Sequence, residues 1–503
     1  MFAFQYMRIF HHRFSFSPLS AVCVAAFFFF MAKASGATAA WICSTDDHLW
    51  QTMPSPELAK PQSDTPPDVR VAPGKTFQTI DGFGGCFNEL GWVALGKAAP
   101  ADRERVFSAL FGRDGCAFTM GRLPIGASDF ALDWYSLDDT PGDLALTNFS
   151  IARDKKYLIP YAKAAMAVCP TLKCWGSPWS PPAWMKTNTN YSRGSLKWEP
   201  PILQTYATYL ARWVEAYRAA GINVFAVFPQ NEPNILNNYP TCEWSGAQLR
   251  DFIAGYLGPT LRDRKTGVEL WLGLNGDPPN SGDIANDRLV TVLEDSKANV
   301  FITGVAFQYD SRTQISNASE MYPDKKLMQS ETECNRGDNT WADAQRLYVL
   351  IKRYLDNNAS SYFAWNMVLD ETGISTWNWR QNSLINVNHT TGQVTFNGEY
   401  YVMRHFSQFV KPGAKRVLTT GVWGDKIAFV NPDGSTVLVI GNSAKQPLPI
   451  VLNVAGRSDG GTVNVTLPAR SVNTFVIDPQ SEKTISRALL PAGRNQSHSV
   501  SEN

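Results

Sequence analysis

Phe225–Asn234, "FAVFPQNEPN", is an apolar run that ends abruptly in Asn231-Glu232-Pro233. A strand with this composition belongs in a core, yet it finishes by presenting an amide and a carboxylate. A buried carboxylate without a partner is costly, so the chain must supply either a partner or a use for it. Which of these it is depends on whether other strands end the same way.

Seven other stretches do share the pattern of a short apolar run closing in polar or aromatic residues. They are "TIDGFGGCF" (Thr79–Phe87), "AFTMGRLPIG" (Ala117–Gly126), "LKCWGSP" (Leu172–Pro178), "VELWLGLN" (Val268–Asn275), "ITGVAFQY" (Ile302–Tyr309), "KLMQSE" (Lys326–Glu331) and "SYFAWN" (Ser361–Asn366). Between them lie amphipathic stretches with apolar residues three and four apart, such as "IARDKKYLIPYAKAAMAV", "ILQTYATYLARWVEAYRAAG" and "NTWADAQRLYVLIKRYLD", which predict helices. Eight strand–helix units predict an α/β fold, a (β/α)8 TIM barrel over residues 76–410. No Gly-x-Gly-x-x-Gly opens a helix after any strand, which argues against a dinucleotide-binding sheet.

After about Lys411 the texture changes to short strands parted by Gly, Asn, Asp and Pro, with "NPDG" (Asn431–Gly434) as a hairpin turn. Residues 411–478 therefore predict a C-terminal β-sandwich side domain, joined by a segment over 40–75; residues 479–503 are polar and predict a disordered tail.

The first 39 residues read as a secretory signal: Arg8 and Arg13, the fourteen-residue apolar stretch "LSAVCVAAFFFFMA", then small residues, with processing after Ala34 or Ala39. A retained anchor is the competing reading, but the stretch is short for a bilayer span, so no membrane span is expected once the signal is removed. Export implies a secreted, extracellular or endolysosomal protein. It also gives meaning to the seven Asn-x-Ser/Thr sequons at Asn148, Asn190, Asn317, Asn358, Asn388, Asn464 and Asn495. Seven cysteines remain after Cys23 leaves, an odd number that leaves at least one thiol free or paired with another chain.

Composition narrows the function. A net charge of +1 with interspersed basic residues gives no case for nucleic acid. Six histidines, two of them in the leader, and cysteine spacings that match no zinc motif predict no metal and no cofactor. The 16 tryptophans suit faces that stack on sugar rings, and serve equally as core filler.

Barrel active sites lie at the C-terminal ends of the strands. There the sequence places Arg122 and Asp129 after the second strand, "SPWSPPAW" after the third, Asn231-Glu232 after the fourth, Glu331 at the end of the seventh and Trp365-Asn366 at the end of the eighth. Two carboxylates on well-separated strands can flank one glycosidic bond, one protonating the leaving oxygen and the other meeting the anomeric carbon. Asn231 could then hydrogen-bond the sugar 2-hydroxyl. Each feature has a plainer alternative: a solvated loop glutamate, a rigid proline-rich loop, a structural Arg122–Asp129 ion pair. By period-two alternation Glu333 shares a face with Glu331 and is a rival nucleophile.

In "IDGFGGCFNE", "GRLPIGASDF", "WGSPWSPPAWMKT", "QNEP", "RDFIAGYLGPTL", "MQSETEC", "AWNMVL" and "HFSQFVKPGAKRV", in this order over about residues 78–416, the chain resembles glycoside hydrolase family 30, the family of glucosylceramidase and of endo-β-1,6-glucanases. The resemblance implies a retaining double displacement on β-glucosides, with Glu232 as acid/base and Glu331 as nucleophile. It also implies a glycone subsite lined by Arg122, Asp129, Trp179, Asn231, Trp365, Tyr309 and Asn382. One departure is Phe307-Gln308-Tyr309 where the glucosylceramidase pattern has His-Trp-Tyr, which leaves the leaving group open between ceramide and β-1,6-glucan. A non-catalytic glycan-binding barrel and a xylan- or galactan-directed relative are the other readings.

Overall fold

The computed structural model of the chain describes residues 38–61, 66–274, 284–309 and 312–479. The leader reading up to residue 37 and the tail reading from residue 480 lie outside the described residues. The eight apolar runs are eight parallel strands of one closed barrel: β1 Gly82–Cys86, β2 Met120–Ile125, β3 Lys173–Pro178, β4 Val224–Val227, β5 Glu269–Leu274, β6 Ile302–Gln308, β7 Lys326–Glu331 and β8 Ala359–Asn366. Each pairs with the next in sequence, and β8 closes on β1.

Alternation along the strands sorts the side chains into two cores. Met120, Trp175, Ala226, Phe228, Trp271, Ala306, Met328 and Phe363 fill the barrel interior as one cluster, a packed layer and not a pore. Their neighbours Leu123, Cys174, Val227, Leu272, Val305, Leu327 and Ala364 belong to the larger cluster under the helices. The layer under the helices depends on a missing side chain: a Cβ on Gly176 of β3 would stand 2.2 Å from the ring of Trp213, on helix Pro200–Ala219.

Two of the three expected helices form over nearly their whole length, Pro200–Ala219 and Trp341–Asp356, the latter started by a Thr340/Asp343 capping box. The third is shorter than its periodicity suggests and runs only over Leu158–Val168. Upstream, side-chain bonds compete with the helix. Asp154 accepts from the hydroxyls of Tyr135 (2.8 Å) and Tyr217 (2.7 Å), and Arg153 turns to Glu89 (2.8–2.9 Å).

Beside the barrel is a nine-stranded sheet whose strands come from both ends of the described chain. Ala39–Ser44, Gln51–Met53 and Val69–Thr79 join six strands between Lys415 and Ile477. The "NPDG" turn connects Lys426–Val430 to Thr436–Asn442, with Gly434 at φ +83°. Helix Gly398–Ser407 links barrel to sheet through buried His405, which bonds Thr474 and Ser44, each at 2.8 Å. Cys43, Cys86, Cys116, Cys169, Cys174, Cys242 and Cys334 are all unpaired thiols. No helix among the described residues is long and apolar enough to cross a membrane.

Candidate active site

The C-terminal ends of β2, β3, β4, β6, β7 and β8 bring one guanidinium to the centre of a ring of polar and aromatic groups. Arg122 shares the inward face of β2 with Met120 and is 1% exposed. It donates through Nη1 to a carboxylate oxygen of Glu331, and through Nη2 to Asn231 Oδ1 (2.6 Å) and Ser177 Oγ (3.2 Å). Three indole rings enclose its charge, with Trp179, Trp175 and Trp365 centroids 4.6, 4.9 and 5.1 Å from the guanidinium carbon. Asp129 is not its partner, so the Arg122–Asp129 ion pair considered from sequence does not form; Arg122 instead spans β4 and β7.

Glu331 reaches this ring through an irregularity. Leu327 packs under the helices and Met328 in the interior, so strict alternation would send Glu331 outward. The pairing of β7 with β6 shifts register between Gln329 and Glu331, and the carboxylate turns in to Arg122. The strand ends there, and Glu333 leaves it to pair with Arg346 of helix Trp341–Asp356. Glu333 therefore does not share a face with Glu331. The alternation argument fails because it assumed a strand that was regular and longer.

Glu232 stands just beyond β4 at φ +46°, an uncommon backbone conformation for a glutamate, and Tyr309 beyond β6 at φ +51°. Such residues persist where surroundings over-determine them. The Pro233 carbonyl is held by Trp244 N–H (2.8 Å), and the Gln308 carbonyl by the Tyr354 hydroxyl (2.9 Å). Tyr239 donates to Glu232 Oε2 at 2.9 Å, and the Tyr309 hydroxyl lies 3.4 Å from Glu331 Oε1.

The electrostatics separate the two glutamates. Burial, reinforced by the nearby Glu331 charge, pushes Glu232 up to about 7. Burial also raises Glu331, but the Arg122 charge and hydrogen bond pull it back. Asp129 lies within the field of both carboxylates and is raised well above its ordinary range, by burial first and then by Glu331 and Glu232. Asp129 Oδ1 and Glu232 Oε1 are both buried without a hydrogen-bond partner.

Trp179 and Trp365 stack with centroids 5.2 Å apart and, with Phe130 and Tyr239, form an aromatic wall. Asn382 is placed differently. Its amide nitrogen donates to Glu399 (2.6 Å) and its backbone N–H to the Cys334 carbonyl (2.7 Å), its backbone carbonyl accepts from Asn366, and its Oδ1 is buried without a hydrogen-bond partner. Three residues that sequence reasoning passed over complete the arrangement. Ser177 supports Arg122, Tyr239 holds Glu232, and Gln308 Nε2 donates to Asn231 Oδ1 at 2.7 Å, leaving the Asn231 amide nitrogen to point elsewhere. Ser177 opens the rim stretch "SPWSPPAW" and Gln308 departs from the His-Trp-Tyr pattern, whereas Tyr239 carried no signal. No group of three or more His, Cys, Asp or Glu among the described residues could hold a metal ion.

Comparison with known proteins agrees with this geometry. Residues 80–410 match the family model described as "Glycosyl hydrolase family 30 TIM-barrel domain", and residues 413–475 its "beta sandwich domain". The chain belongs to glycoside hydrolase family 30. This family 30 chain is 26% identical over 444 residues to "Lysosomal acid glucosylceramidase" of Mus musculus, covering 81% of this chain and 83% of that protein. It is 30% identical over 399 residues to "Endo-1,6-beta-D-glucanase" of Neurospora crassa, covering 74% and 80%. Among solved structures, "The endo-beta1,6-glucanase BT3312" superposes with a TM-score of 0.78 at 25% identity, covering 88% of this chain and all of that one. The chain is a glycoside hydrolase, a closed barrel with a β-sandwich side domain.

Proposed function

We propose that this family 30 hydrolase cleaves β-glucosidic bonds with retention of configuration, with Glu331 as nucleophile and Glu232 as acid/base. The observation that carries the reading is the unequal treatment of the pair. Arg122 bonds Glu331 and favours its charge, while burial holds Glu232 neutral up to about 7. A neutral Glu232 donates its proton to the glycosidic oxygen as the Glu331 carboxylate attacks the anomeric carbon. The leaving group departs, and Glu232, now ionised, takes a proton from the water that releases the sugar. Asn231, its oxygen occupied by Arg122 and Gln308, offers N–H to the 2-hydroxyl. Asp129 and the Trp179–Trp365 wall hold the rest of the glucose ring.

The leaving group has two readings. Glucosylceramide, yielding glucose and ceramide, is supported by the mouse relative. A β-1,6-glucan is supported by the Neurospora relative, by BT3312 and by Gln308 in place of the glucosylceramidase pattern. Export through the leader is supported by its apolar stretch. Ala39 is buried and paired with Ile477, so processing after Ala34 would leave that strand whole. Proton NMR of an aryl β-glucoside digest tests the stereochemistry. The β-anomer forming first is expected, and the α-anomer forming first would refute the mechanism.

A further inference from the structure

A groove of about 680 Å³ lies between the loop after β2 and the loop after β3, the loops that also carry Asp129 and Trp179. Its walls include Trp134, Trp184 and Tyr191, and its rim Asp139, Lys197 and Glu199. None of these residues belongs to the site described above.

The aromatic platform is built and aimed. Trp134 is 36% exposed, stacked on Trp377 with centroids 6.1 Å apart and planes 13° from parallel, and edge-on to Tyr191 at 6.4 Å. Trp377 packs in turn against the apolar cluster that contains Trp179 and Trp365, which ties the groove to the catalytic wall. Fixed bonds hold the parts in place. Thr376 Oγ1 donates to the Ala131 carbonyl (2.8 Å), and buried Lys186 bonds the Tyr191 and Thr241 carbonyls (2.7 and 2.6 Å). The Tyr191 hydroxyl donates to Asp139, and Lys197 Nζ to the Trp184 carbonyl at 2.8 Å.

The chemistry selects among ligands. Exposed indole and phenol faces beside carboxylates and an ammonium suit a pyranose ring, whose C–H face stacks while its hydroxyls meet the charges. An acyl chain would have to strip water from Asp139, Lys197 and Glu199 without replacing it. We propose that this groove binds further glucosyl units of a β-glucan whose scissile unit occupies the catalytic pocket. The proposal rests on the reading that this pocket takes a β-glucosyl unit, and it makes an oligosaccharide, not a lone glucosyl lipid, the ligand that uses the whole surface.

The test is calorimetric binding of the β-1,6-linked glucose disaccharide and hexasaccharide to the full-length chain carrying Glu331→Gln, which removes turnover. The hexasaccharide is expected to bind about tenfold more tightly than the disaccharide. Adding Trp134→Ala should abolish that gain and leave disaccharide affinity in place, whereas Trp134→Phe, which keeps a stacking face, should retain most of it. Glu199→Gln, an exposed change that threatens no packing, should reduce the gain to a smaller extent. A length gain that survives Trp134→Ala, or no gain at all, overturns the proposal. So does a loss on glucosylceramide micelles, measured with Glu331 intact, that spares the hexasaccharide. Wild-type hydrolysis of an aryl β-glucoside keeps the two claims apart. If it proceeds while the length gain is missing, only the groove assignment fails; if it is absent, the β-glucosyl reading falls and the groove assignment with it.

Discussion

Arg122 and Glu331 form a buried ion pair across the barrel, from the second strand to the seventh, with exposures of 1% and 6% for their side chains. The same guanidinium also holds Asn231, so one residue sets the position of the carboxylate and of the amide that would meet the 2-hydroxyl.

Arg122→Lys keeps the charge but loses the fork that reaches both groups. Breaking a buried ion pair whose guanidinium also holds Asn231 should lower kcat/KM on an aryl β-glucoside by roughly a hundredfold or more. Because the Arg122 hydrogen bond adds to its charge in opposing the rise that burial imposes on Glu331, losing that bond should also move the acidic limb of the rate profile to higher pH. Steady-state kinetics across pH checks both, and an unshifted limb would contradict the part given to the Arg122 hydrogen bond.

The full pH profile should be a bell. Glu232 must carry its proton, so activity falls as pH rises through about 7. Glu331 must be ionised, so activity falls as pH drops through its raised value, above the ordinary glutamate range. In Glu232→Gln, with a leaving group that needs no proton, the alkaline limb should disappear from the glycosylation step.

Glu333 should prove dispensable for bond formation, since it pairs with Arg346 outside the ring around Arg122. Glu333→Ala should retain measurable turnover and Glu331→Ala should not, while azide added to the latter should give the glucosyl azide of inverted configuration. Inverted azide from Glu333→Ala alone would move the nucleophile by two residues.

Stability should depend on pH through carboxyls outside the catalytic pair. Burial raises Asp154 and Glu399 to about 7 in the folded protein, above their unfolded values. Their contribution is fully present below the ordinary carboxyl range and lost as pH rises through about 7. The Tm should therefore be higher near pH 5 than near pH 7.5. Asp154→Asn, whose carbonyl accepts from one of the two tyrosine hydroxyls while its amide nitrogen donates to the oxygen of the other, should narrow the difference; scanning calorimetry at the two pH values checks it.

The barrel was legible because each of its strands is an apolar run short enough to be a strand and punctuated by Gly, Pro or Asn, as in "LKCWGSP" and "VFAVFPQ". Arg122, Asn231 and Glu331 were legible because they stand at such ends. What the sequence could not convey was direction. The register shift in β7 that turns Glu331 inward has no signature in "KLMQSE", and without it Glu333 looked equivalent. Tyr239 was invisible because its approach to Glu232 depends on the loop path after Pro233, a tertiary matter. Asn382 was assigned by position in a motif pattern, whereas its amide is engaged by Glu399, on a helix seventeen residues further along.

The central claim is that Glu331 bonds to the sugar, and trapping that bond tests it most directly. A 2-deoxy-2-fluoro-β-glucoside with a good leaving group slows release of the glycosyl-enzyme, and tryptic cleavage after Lys326 and Arg336 isolates "LMQSETECNR". Fragment-ion mass spectrometry of that peptide should place the fluoroglucosyl group on Glu331. The same group on Glu333 or Glu232, or rapid turnover with no adduct and release of the α-anomer, would contradict the account.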